Sequence, residues 1–91
     1  MVEHFNLTIF GEVQGLYLRR TLEKEANRVG VFGFVRNEED GTVYLEIEGK
    51  PEIVKNFIDW IKKGAGGGDY TIVQVESVKG IYKAFDKFEI K

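Results

Sequence analysis

FGEVQGLYLRR, residues Phe10–Arg20, is where the chain changes its period. Before it, Phe5, Leu7 and Ile9 alternate with polar Asn6 and Thr8, the two-residue period of a strand with one buried face, and the alternation stops near Gly11. After it, Leu18, Leu22, Ala26 and Val29 recur at helical spacing, Glu23, Lys24, Glu25 and Arg28 fill the other faces, and Gly30 is placed to end the helix. The stretch thus predicts a strand feeding a helix through a glycine-bearing turn. Such a turn leaves several backbone N–H groups pointing one way, and the helix dipole adds about half a positive charge there. That is a nest suited to phosphate, to which Arg19 or Arg20 can add a planar, permanently charged fork. A purely structural turn with two solvated arginines accounts for these residues equally well.

Beyond Gly30, VFGFV (Val31–Val35) reads as a second strand and RNEEDG (Arg36–Gly41) as a turn. Val43, Leu45 and Ile47 form the inward face of a third strand, which makes a hairpin. Pro51 suits the first turn of a second helix, where Val54, Phe57, Ile58 and Ile61 share one face and Trp60 borders it. GAGGG (Gly64–Gly68) reads as a flexible connection leaving that helix. Val73 with Val75, then Phe88 with Ile90, give two closing alternations. The order is β-α-β-β-α-β with a short extra C-terminal strand. This is an α+β, ferredoxin-like arrangement: one antiparallel sheet with two helices on one face.

The 91 residues, 43% hydrophobic and 31% charged, have the composition of one folded domain, and residues 1–91 are read as such. No apolar run approaches the roughly 18 residues needed to cross a bilayer, and MVEHFN lacks a signal core. A cytoplasmic protein without membrane association is expected. The absence of cysteine removes disulfides, thiolate nucleophiles and zinc–thiolate sites. A formal charge of −2 argues against a general nucleic-acid-binding role, so any anion site must be local.

Other signals carry less. FGFV (Phe32–Val35) matches the centre of an RNA-recognition signature, but Val31 stands where glycine is required and Asn37 where an aromatic stacks on a base. GAGGG lacks the Gly-Lys-Ser/Thr that completes a P-loop. His4 is expected at the surface, and Glu38–Asp40 as a solvated turn rather than a metal site.

GEVQGLYLRR followed by GFVRNEEDGTV resembles the acylphosphatase family, whose signatures run approximately G-x-V-Q-G-V-x-F-R and G-x-V-x-N-x-x-D-G-x-V. The second matches at Gly33, Val35, Asn37, Asp40, Gly41 and Val43; the first keeps Gly11, Val13, Gln14, Gly15 and Arg19. The likeness spans nearly the whole chain. It implies hydrolysis of the carboxyl–phosphate bond of small acyl phosphates, without metal or cofactor, by a monomer releasing inorganic phosphate. By that match the amides of Gln14, Gly15, Leu16, Tyr17 and Leu18 cradle the phosphate, Arg19 binds its oxygens, and Asn37 orients the attacking water. Leu16, Tyr17 and Leu18 stand where the family more usually has valine, a small or aromatic residue and phenylalanine. Glu12 brings a carboxylate where a neutral or basic residue is common. These departures keep two further readings open: a phosphate-binding module of this family with little turnover, and a ferredoxin-like regulatory or RNA-binding domain.

Overall fold

The computed structural model describes residues 1–91. Its elements run β1 (Glu3–Glu12), α1 (Leu16–Val29), β2 (Phe32–Asn37), β3 (Val43–Gly49), α2 (Pro51–Lys62), β4 (Thr71–Lys79) and β5 (Phe88–Ile90), with strand order β4-β1-β3-β2-β5. The four long strands pair antiparallel, as the expected ferredoxin-like order requires. The sheet as a whole is mixed, because β5 joins β2 in parallel, with Gly33 opposite Phe88 and Val35 opposite Ile90. β4 and β2 run in opposite directions, so a chain that turns back after β4 and re-enters the sheet beyond β2 runs parallel to β2.

Alternation decides which face each strand buries. Leu7, Ile9, Val35, Val43, Leu45 and Ile47 are fully buried and meet Leu18, Leu22 and Ala26 of α1 and Val54, Phe57, Ile58 and Ile61 of α2 in one core. The first helix lies over β2 and β5, the second over β3 and β4. Each fully buried aliphatic side chain stabilises the fold by roughly 1.5–3 kcal/mol relative to its exposed state.

Four expectations need correction. Arg36 and Asn37 are not in the turn: they close β2 by pairing with Tyr44 and Val43. Val73 does not share the inward face of Val75 but is exposed, because the β1–β4 register shifts between Phe10 and Gly11. Ile72 pairs with Gly11 and Val75 with Ile9, so Val73 is the extra residue of a bulge. The approach is so close that a Cβ on Gly11 would sit 2.1 Å from the Thr71 carbonyl oxygen. The glycine-rich segment after α2 is not a free linker: Ala65 is buried, its N–H donates to Trp60 O at 3.0 Å, and the Tyr70 hydroxyl donates to its carbonyl at 2.6 Å.

His4 is the fourth. It is buried rather than at the surface, on the sheet face opposite the helices. Its Nδ1 lies 2.7 Å from Glu48 Oε2, and its Nε2 lies 2.7 Å from Asn6 Oδ1 and 3.3 Å from Glu46 Oε1. The connection between β4 and β5, residues 80–87, covers this pair: the Lys83 and Phe85 amides donate to the Glu48 carboxylate, the Lys83 ammonium to Glu46, and Phe85 stacks on His4. Burial works to raise the Glu48 carboxyl, but the Lys83 amide, His4 and the Phe85 amide outweigh it and hold it below the ordinary 4.5.

Candidate active site

The turn from β1 into α1 is built on Gly15, the residue capping α1. Its φ of 150° and ψ of 165° favour glycine, and no side chain caps the helix. No acidic residue occupies the first turn of α1 either. At the start of α2, by contrast, Val54 N–H donates to Lys50 O at 2.9 Å. None of the backbone bonds outside the regular elements begins at an amide between Gln14 and Arg19. The dipole end of α1 therefore presents uncapped donors with no carboxylate competing for them.

Gln14 ties this turn to the β2–β3 hairpin. Its side-chain Nε2 donates to the carbonyl of Thr42 at 3.0 Å and to that of Glu38 at 2.5 Å. The sequence reading takes the amide of Gln14 as a phosphate donor; the side-chain carboxamide has a separate task, holding the turn to the hairpin. The clamp itself is invisible in sequence, since its acceptors are main-chain carbonyls.

Glu38 directly follows Asn37, so the clamp also brings the turn beside that residue. Along β2, Asn37 is in phase with Gly33 and Val35, and therefore projects to the helix side of the sheet. Two buried side-chain polar atoms in the protein lack a hydrogen-bond partner: Arg19 Nε, a donor, and Asn37 Oδ1, an acceptor. Buried polar groups are ordinarily satisfied, and leaving one unpaired costs about 1–3 kcal/mol. These two are the residues singled out by the motifs.

The four arginines divide in the same way. Arg28 is paired with Glu25 at 2.7 Å and Arg36 with Glu38 at 3.2 Å, whereas Arg19 and Arg20 form no ion pair. Of the remaining expected ligands, Leu16 and Tyr17 are exposed at the start of α1, while the Leu18 side chain is in the core and only its amide is available. Glu12, the last residue of β1, is exposed and pairs across the sheet with Thr71. In the acidic turn, Asp40 accepts from the Thr42 hydroxyl at 2.6 Å and from the Thr42 amide at 3.0 Å, which holds its carboxyl below the ordinary value. No cluster of three or more His, Asp or Glu side chains is arranged to bind a metal ion.

The fold is that of a small α+β domain in which the turn from β1 into α1 presents uncapped amides and is tied to the hairpin that carries Asn37. The Acylphosphatase family model matches residues 5–90. An acylphosphatase of Thiobacillus denitrificans is 37% identical over 82 residues, covering 90% of this chain and 92% of its own length. One from Bacillus licheniformis is 37% identical over 86 residues, 94% of each chain. The crystal structure of the Bacillus subtilis acylphosphatase superposes with a TM-score of 0.90 over 100% of this chain and 99% of its own, at 23% sequence identity. The chain belongs to the acylphosphatase family.

Proposed function

We propose that this chain hydrolyses the carboxyl–phosphate bond of small acyl phosphates at the β1–α1 turn, acting as a monomeric cytoplasmic enzyme with no metal or cofactor. The observation that carries the reading is the pair of unpartnered buried atoms, Arg19 Nε and Asn37 Oδ1, beside uncapped helix amides. The amides from Gln14 to Arg19 and the Arg19 guanidinium take the phosphoryl oxygens. They concentrate positive potential where the transition state spreads negative charge. Asn37 accepts a hydrogen bond from a water through Oδ1 and holds it in line with the bond to be broken. The water oxygen bonds to phosphorus as the phosphorus–oxygen bond to the acyl group breaks, the carboxylate leaves with that electron pair, and the water's proton passes to phosphate or solvent.

A carboxylate whose conjugate acid has a pKa near 4 leaves without help, so a site holding neither a general acid nor a strong base suffices. Membership of the family and the fit of donors and acceptor to the two reactants support the scheme. The deciding experiment follows benzoyl phosphate with and without a chelator. Turnover equal in both is expected; turnover restored only by Mg²⁺ would contradict the metal-free scheme, and phosphate binding without turnover would make the chain a binding module.

A further inference from the structure

At the end of the sheet away from Asn37, where Phe32 pairs with Glu48, the chain encloses a second concavity. A cavity of about 360 Å³ lies among the start of β2, the end of β3, the first turn of α2 and the connection 80–87. Its apolar lining is Val2, Phe32, Ile53, Tyr82 and Phe85. Three of these are left open to solvent: Val2, Phe32 at 40% and Tyr82 at 55% exposure. Single exposed apolar side chains are ordinary, but three gathered on one concave surface mark a binding site. The volume falls in the range of small-molecule sites, roughly 300–1,000 Å³, which are mostly apolar with a few polar groups.

Two charged residues also line the cavity. Glu48 is buried, and its carboxylate is committed: it accepts from the Lys83 amide and from the Phe85 amide at 2.8 Å, and lies 2.7 Å from His4 Nδ1. Lys50 is exposed and forms no ion pair, whereas Lys55, Lys79 and Lys83 each have a carboxylate partner. Its ammonium, a compact charge on a flexible stem, is the one left without a counter-charge. The rings divide in the same way. Phe85 is fixed against His4 at 6.0 Å and Phe34 at 5.8 Å, while Phe32 and Tyr82 pair with no other ring.

We propose that this cavity binds a small aromatic carboxylate, with its ring against Phe32 and Tyr82 and its carboxylate paired with Lys50. The cavity is separate from the β1–α1 turn, and its occupancy is independent of the reaction proposed there. A ring between Phe32 and Tyr82 adds the offset or edge-on contacts that neither makes within the protein. Because Tyr82 and Phe85 belong to the connection 80–87 and Phe32 and Ile53 to β2 and α2, an occupant also holds that connection to the rest of the domain.

The test titrates the chain with 2-naphthoate and follows the backbone amides by two-dimensional NMR. Shifts are expected at Gly30, Gly49, Ile53, Tyr82 and Phe85, with slower hydrogen exchange at the Lys83 and Phe85 amides. The neutral 2-naphthamide should bind about threefold more weakly, the size of one exposed charge pair, and Lys50→Gln should remove that difference. Tyr82→Ala should weaken both ligands by about three- to tenfold, the size of one ring contact. Shifts confined to Gln14–Arg19, no shifts at all, or equal affinity of the wild-type chain for acid and amide overturn the proposal. The wild-type titrations decide it even where a variant fails to fold.

Discussion

Gln14 and Thr42, 28 positions apart, are joined by a hydrogen bond of 3.0 Å from the Gln14 carboxamide to the Thr42 carbonyl. The same nitrogen reaches the Glu38 carbonyl, so one side chain fastens the cradle to the hairpin that carries Asn37. Gln14→Glu would set an acceptor against two carbonyls. It is expected to lower stability by about 1–3 kcal/mol, read by urea unfolding, and kcat/KM by about tenfold or more. Wild-type kinetics in this variant would show that the clamp does not order the cradle.

Arg19 should not tolerate lysine. Its partnerless atom is Nε, which sits in the plane of a fork that takes two oxygens together, and an ammonium is a single point. Arg19→Lys and Arg19→Ala are both expected to lose about 10²–10³ in kcat/KM, the cost of a preorganised donor. Substantial rescue by lysine, measured with benzoyl phosphate, would mean that charge alone is used.

At Asn37, binding and chemistry should separate. A residue that positions water acts mainly in the transition state, so Asn37→Ala is expected to lower kcat by about 10²-fold or more while inhibition by inorganic phosphate persists. Parallel loss of both would put Asn37 among the phosphate ligands.

Acid should loosen the strap over the open sheet face. The Glu48 carboxyl lies below its ordinary 4.5 in the folded chain, so the stability it contributes is present above that value and is lost as pH falls through the folded-state value. Glu48→Gln removes that titration and leaves Lys83 and Phe85 with a weaker acceptor. It should be less stable than wild-type at pH 7, with the gap narrowing as pH falls below 4.5, as thermal unfolding would reveal. A gap that stays constant as pH falls would mean that Glu48 does not titrate with unfolding.

Where period and turn chemistry act locally, the sequence was sufficient. The faces of β1, β3, α1 and α2 follow from spacing alone, and Arg19 and Asn37 lie within short motifs. What escaped depends on partners distant in the chain or on the main chain. His4 looks like a surface residue until β1 pairs with β3 and sets it opposite Glu48. The bulge at Val73 cancels an alternation that is sound within β4 alone, because its cause is the glycine at position 11 of another strand. The second role of Gln14 has no sequence mark at all.

The parallel pairing of β5 has a practical consequence. Because β5 runs alongside β2, Lys91 ends up bonded to the Val35 carbonyl at 2.8 Å, two residues short of Asn37, whereas Glu3 pairs with Gly49 at the other end of the sheet. Anything joined after Lys91, whether an affinity handle, a surface tether or a neighbouring fluorophore, emerges at the end of the sheet that carries Asn37. Joined before Met1, it starts from the opposite end. Immobilisation through the first residue leaves the end that carries Asn37 open, and a reporter dye placed after the last is positioned to sense what arrives there.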